Sequence, residues 1–128
     1  MDDGDRLLQL SRQLLDAISA ADWKTYEELC LPDLTCFEPE ARGHLVDGMD
    51  FHRFYFEQGG HLGTHQSTIV SPHVRLLGQD AAVVSYVRLV QRCDPTGTLV
   101  TDECEETRVW ARVDGMWKHV HFHRSKNA

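Results

Sequence analysis

The chain has 128 residues, 41% hydrophobic and 26% charged, with five Phe, three Trp and three Tyr, the size of one domain with a real core and outside the disordered class. Thirteen basic against 20 acidic residues give a formal charge of −7, the wrong sign for tracking nucleic acid or an anionic membrane surface. The longest apolar run is Ala81 to Val84 and the start, MDDGDR, is acidic, so no membrane span and no secretory signal are expected, and the expected location is the cytoplasm.

Leu7, Leu8, Leu10, Leu14, Leu15 and Ile18 recur at spacings of three and four, which predicts an amphipathic helix over about residues 5 to 20. Asp22 is placed to cap a second, short helix with Trp23, Tyr26 and Cys30 on one face, and Pro32 lies just past its expected end. Leu34, Cys36 and Phe37 then read as a short strand broken at Glu38-Pro39-Glu40, and His44-Leu45-Val46 as another extended piece. In GMDFHRFYFEQGG a third helix is expected, with Asp50 in its first turn, Phe51, Phe54 and Tyr55 on one face, and Gly59-Gly60 as its stop. From about residue 65 the period falls to two. Strands are predicted over 65 to 77, 81 to 93, 99 to 113 and 116 to 124, joined at Gly78-Gln79-Asp80, Asp94-Pro95-Thr96-Gly97 and Asp114-Gly115. Helices followed by an antiparallel meander make an α+β domain whose sheet packs one face on the helices.

Alternation also exposes polar residues on apolar faces. Arg88 shares a face with Ala82, Val84, Tyr86 and Val90, and Arg124 with Met116, Lys118, Val120 and Phe122. Arg108 shares a weaker one with Cys104, Glu106, Trp110 and Arg112. A guanidinium keeps its proton, so such an arginine is paired with an acid such as Glu103, Glu105 or Glu106, reaches solvent along its stem, or lines a pocket that receives an anion. His119, His121 and His123 fall on one strand face with Trp117; the spacing suits two zinc ligands but equally a polar outer face, which is the expectation here. The remaining histidines, His44, His52, His61, His65 and His73, are scattered.

Cys30, Cys36, Cys93 and Cys104 form no C-x-x-C pair and are expected to be reduced, buried or half-buried. The stretch from Asp94 to Glu105 carries proline and glycine at the wrong places for a calcium loop. No phosphate loop, dinucleotide fingerprint or nucleophile elbow is present. No catalytic residue, metal ligand or cofactor is therefore assigned.

The blocks DLTCFEPEA (Asp33 to Ala41), FEPEARGHLVDGMDFHRFYFE (Phe37 to Glu57), SPHVRLLGQDAAVVSYVRLVQ (Ser71 to Gln91) and EETRVWARVDGMWKHVHFHRS (Glu105 to Ser125) closely resemble the association, or hub, domain of calcium/calmodulin-dependent protein kinase II. The likeness runs from about Leu7 to Ser125. It implies a single domain over 1–128, ordered from about 5 to 125, with a cone-shaped α+β, cystatin-like or NTF2-like fold: a long N-terminal helix packed in a strongly curved antiparallel sheet. It also implies self-association into a two-tiered ring of about twelve to fourteen subunits, with kinase domains in cis or other hub subunits as further partners. A cavity lined by Arg88, Arg108 and Arg124, with His52 at its rim, would take a small carboxylate of the γ-hydroxybutyrate type or a peptide side-chain acid. These four are the expected ligand-binding residues. The acidic chain would then keep its negative charge outward and its arginines toward the pocket.

There are departures from the resemblance. The loop QGGHLGTHQS (Gln58 to Ser67) is glycine-rich and lacks the tryptophan some members carry there, so lid behaviour is not expected of it. No V-A-I-K, H-R-D or D-F-G is present, so the chain reads as an excised hub or a free-standing hub-like protein and not as an enzyme. The alternative is a small-molecule isomerase or dehydratase of the same cone-shaped fold, with His52 or Glu106 as its base. A third reading is an adaptor that docks partners and carries an incidental pocket.

Overall fold

A computed structural model describes residues 1–58 and 65–126. The first helix, α1 (Asp3–Ser19), starts where the Asp2 carboxylate accepts a 2.8 Å hydrogen bond from the Asp5 amide. Its predicted stripe is the buried one, with Leu7, Leu10, Leu14 and Leu15 at 5% exposure or less. Truncating any one of these to alanine costs about 2–5 kcal/mol. Asp22 caps α2 (Trp23–Leu29), accepting from the Thr25 amide at 3.2 Å.

Pro32 does not separate α2 from the next element. The chain passes directly into β1 (Cys30–Phe37), and the residues around the proline, which has no amide to donate, bulge out of the pairing between Cys30 and Thr35. A 3₁₀ turn (Pro39–Ala41), the two-residue strand β2 (Val46–Asp47) and α3 (Asp50–Glu57) follow. The buried residue of α3 is His52, while Phe54 is 59% exposed, which corrects the expected aromatic face. Phe51 and Phe56 pack against the core beside His52, so the helix is rotated relative to the face read from its aromatics. The expected stop at Gly59-Gly60 and most of the glycine-rich loop lie outside the described residues.

The four predicted strands form as β3 (His65–Leu76), β4 (Ala81–Cys93), β5 (Leu99–Val113) and β6 (Met116–Arg124). The six-stranded sheet has the order β2-β1-β6-β5-β4-β3, and its β1–β6 pairing is parallel, a departure from the expected all-antiparallel sheet. The helices cover one face, with α1 packed on β3.

A bulge in β6 overturns the face assignment there. Val109 pairs His121 and Trp110 pairs His119, leaving Val120 unopposed. One extra residue reverses the side-chain alternation, so Trp117 and His119 point inward before it, Phe122 and Arg124 after it. The three histidines therefore do not share a face: His119 is fully buried, His121 half-buried and His123 exposed. Cys30, Cys36 and Cys104 are buried thiols, whereas Cys93 is exposed, contrary to expectation.

Candidate functional site

The inward rows of β4, β5 and β6 deliver Arg88, Arg108 and Arg124 to one cavity of about 120 Å³. Its wall also includes Glu38, Glu40, Ile18, Ala21, Tyr26, His65, Phe122 and the α3 residues His52, Tyr55 and Phe56. Arg88 and Arg108 arrive by strict alternation, Arg124 only because of the β6 bulge. His52 is 5% exposed, a wall residue more than a rim one.

The arginines do not come alone. Glu106 is 1% exposed and receives Arg88 Nη1 at 3.1 Å on one oxygen and Arg108 Nη2 at 3.0 Å on the other. The Tyr86 hydroxyl donates to Glu106 Oε1 at 2.6 Å and accepts from Arg108 Nε at 2.8 Å. Burial pushes the Glu106 carboxyl up, but Arg108, Arg88 and Tyr86 outweigh it and hold it down at about 2. Glu103 and Glu105, the other acids considered as partners, point outward and are exposed. Arg88 also donates to Ser67 Oγ at 2.9 Å, and the Arg108 guanidinium lies 4.5 Å from the Phe122 ring centre.

Arg108 Nη1 is 3.3 Å from His119 Nε2, and His119 Nδ1 is 3.4 Å from Cys30 Sγ. Because a guanidinium only donates, Nε2 accepts and Nδ1 carries the proton. Burial, then Arg108, lowers the His119 pKa, so it stays neutral. This histidine is a core residue.

Nearer the opening, Arg124 Nη2 donates to both Glu40 oxygens and lies 3.4 Å from Glu38 Oε2. Burial, then the neighbouring Glu40 charge, raises the Glu38 pKa. The cavity is thus lined by three guanidiniums and two carboxylates, with Glu106 buried behind Arg88 and Arg108, which replaces the expected picture of positive interior and negative exterior. Arg112, on the same strand as Arg108, instead pairs Asp3 at 2.9 Å and stacks 4.4 Å from the Trp117 ring centre.

Glu38, Glu40 and Cys36 come from a strand end and a turn, and no periodicity marked them as inward. Cys36, Glu38 and His52 place donor atoms within 4.8 Å of one another, the metal-competent cluster among the described residues. The H-x-H-x-H row, split by the bulge, forms none.

Residues 4–128 match the calcium/calmodulin dependent protein kinase II association domain family. The alpha chain of the type II kinase from Drosophila melanogaster is 48% identical over 124 residues, which are 95% of this chain and 23% of that protein. The chain therefore spans about a quarter of the curated relatives it matches. The association domain of the Caenorhabditis elegans kinase is 44% identical, with a TM-score of 0.90 over 96% of this chain and 95% of that one. An NTF2-like superfamily protein from Salmonella enterica, 20% identical with a TM-score of 0.80 over 97% and 90% of the two chains, shares the fold.

Proposed function

Because the chain belongs to the calcium/calmodulin-dependent protein kinase II association-domain family, we propose that it is a self-association module forming a two-tiered ring of about twelve to fourteen copies. In a longer protein it would gather attached kinase domains and raise their local concentration. The observation that carries this reading is a cluster of exposed apolar residues at one end of the sheet. Leu76 and Leu77 lead into one hairpin and Val113 and Met116 flank the adjacent one, with exposures of 47%, 52%, 38% and 61%; the Arg112 amide bonds the Asp80 carbonyl at 2.8 Å and ties the two turns together. Light scattering at micromolar concentration should give a mass many times that of one chain, and Met116→Asp should lower it. A monomer that persists on concentration overturns the proposal.

The cavity is the second part of the reading, with His52, Arg88, Arg108 and Arg124 as its ligand-binding residues. Arg124, whose side chain is 17% exposed, is the guanidinium a guest reaches first, and a small carboxylate binds there by taking the place of Glu40 or Glu38. Arg108→Gln should abolish binding of a short-chain carboxylate in calorimetry; unchanged affinity sinks the idea.

The isomerase or dehydratase alternative needs a base in the cavity. Glu106 is held at about 2 and committed to two arginines. Burial, then Arg108, pushes His52 down to about 4. Neither accepts a proton readily near neutral pH.

A further inference from the structure

We propose that Cys36, Glu38 and His52 form a zinc site with three protein ligands, its fourth position turned toward the cavity. The donors come from three places: the inward end of β1, the residue that follows that strand, and the buried face of α3. Cys36 Sγ lies 3.7 Å from His52 Nε2, His52 Nδ1 lies 3.7 Å from Glu38 Oε1, and all three side chains offer a ligand atom within 4.8 Å of the others. Tetrahedral zinc, with bonds of about 2.0–2.3 Å, holds its ligands about 3.3–3.8 Å apart. Cys36 Sγ and His52 Nε2 already stand at that distance, while Glu38, whose near oxygen faces the other ring nitrogen, swings inward from within 4.8 Å to share the ion. Sulfur, imidazole nitrogen and one carboxylate oxygen suit zinc or cobalt and not calcium or magnesium, which take oxygen shells.

The surroundings support the same assignment. Cys36 is fully buried and His52 nearly so, which makes the cluster a built site and not a surface chelate. Glu38 presents one oxygen to His52 and the other to Arg124, so it can bind metal through the first while the second is held in orientation. Glu38 and His52 both line the cavity, and a water or an oxygen of a guest would complete the tetrahedron. On binding, Zn²⁺ takes the sulfur as thiolate, the Cys36 proton leaving to solvent.

The charge count gives the site a consequence. The three guanidiniums that line the cavity are matched by Glu38 and Glu40, which line it too, and by Glu106, paired behind Arg88 and Arg108, so without metal the whole set is neutral and a guest must displace a carboxylate. A divalent ion with one new thiolate adds one positive charge, which a carboxylate guest neutralises. This last point rests on the carboxylate reading above, whereas the metal site stands without it.

The test is a titration of the assembled protein with Co²⁺ as a spectroscopic stand-in, followed by competition with Zn²⁺. The expected result is one ion per chain, visible bands of tetrahedral Co²⁺ and a near-ultraviolet sulfur-to-cobalt band, both lost on adding zinc. Cys36→Ser should remove the sulfur band and weaken binding at least tenfold, and His52→Gln should weaken it comparably. Cys93→Ser, which changes only the exposed thiol, should leave both unchanged; circular dichroism and assembly mass check that each variant folds. No stoichiometric binding, or a Cys36→Ser protein that keeps the band and affinity, overturns the site. Zinc that binds without changing carboxylate affinity leaves the site intact and removes only its link to the guest.

Discussion

Two ion-pair clusters face the same cavity with opposite designs. Glu106 is divided between Arg88 and Arg108, with side-chain exposures of 0%, 8% and 1%, whereas Arg124, 17% exposed, is divided between Glu38 and Glu40 at 9% and 23%. The inner cluster sets one carboxylate against two guanidiniums and is positive by one charge. The outer cluster reverses the ratio and is negative by one. Burial decides what each is for. A charge sealed from water must be matched by a fixed partner, so the inner three side chains and Tyr86 are held in place, and Arg88 and Arg108 act on a guest from fixed positions at the cavity wall. At the opening, water can replace a lost partner, so the outer three can exchange theirs.

The largest effect that could break this contrast is the loss of the central acid. Glu106→Gln leaves two buried guanidiniums facing each other without a countercharge, and should cost about 3–5 kcal/mol in urea unfolding. A cost near zero would mean that the inner cluster is not structural. The pH dependence comes next. The Glu106 pKa is held at about 2 against an ordinary 4.5, so the folded state binds fewer protons between those values than the unfolded chain. Its contribution, on the order of 3 kcal/mol, is present above pH 4.5 and is lost as pH falls toward 2. The lowered His119 pKa has the same sign and begins to remove stability once pH drops below its ordinary 6.5. Unfolding free energies measured from pH 7 to 2 should fall in two limbs, and Glu106→Gln should lose the lower one while keeping the upper.

Much of the inner cluster was legible in the sequence, and little of the outer one. The alternation through Ala82, Val84, Tyr86, Arg88 and Val90 survives intact in β4, because a sheet face buried on one side enforces a period of two. Arg108 followed by the same rule once β5 paired in register with β4. Arg124 was placed inward by a parity that the structure does not keep: Met116 and Lys118, its supposed companions, face away, and the bulge at Val120 restores the inward direction only for Phe122 and Arg124. A bulge leaves no period for a reader to follow. Glu38 and Glu40 flank Pro39 in a turn, where no face is defined until the parallel pairing of β1 with β6 brings the turn against Arg124. The same pairing, joining residues 86 positions apart, brings Cys36 to the cavity side, where it meets His52 of α3, a contact no local pattern encodes. The family blocks marked these segments as belonging together without saying which atoms meet.

At the opening, the expected stability effects are smaller and the binding effects decide. Arg124→Gln should cost about 1 kcal/mol or less, the usual scale for partly solvated pairs, yet should remove carboxylate binding in calorimetry; a loss as large as that of Glu106→Gln would erase the distinction between the clusters. Glu40→Gln probes the contrast from the other side. Its side chain is the most exposed of the six, so the unfolding free energy should move by a few tenths of a kcal/mol. Arg124 would then keep only Glu38 as a charged partner, the outer cluster would become neutral, and the positive inner cluster would act on the guest unopposed. Carboxylate affinity should rise several-fold. If it falls instead, Glu40 holds Arg124 in its binding position and does not compete for it, and the outer cluster is as fixed as the inner one.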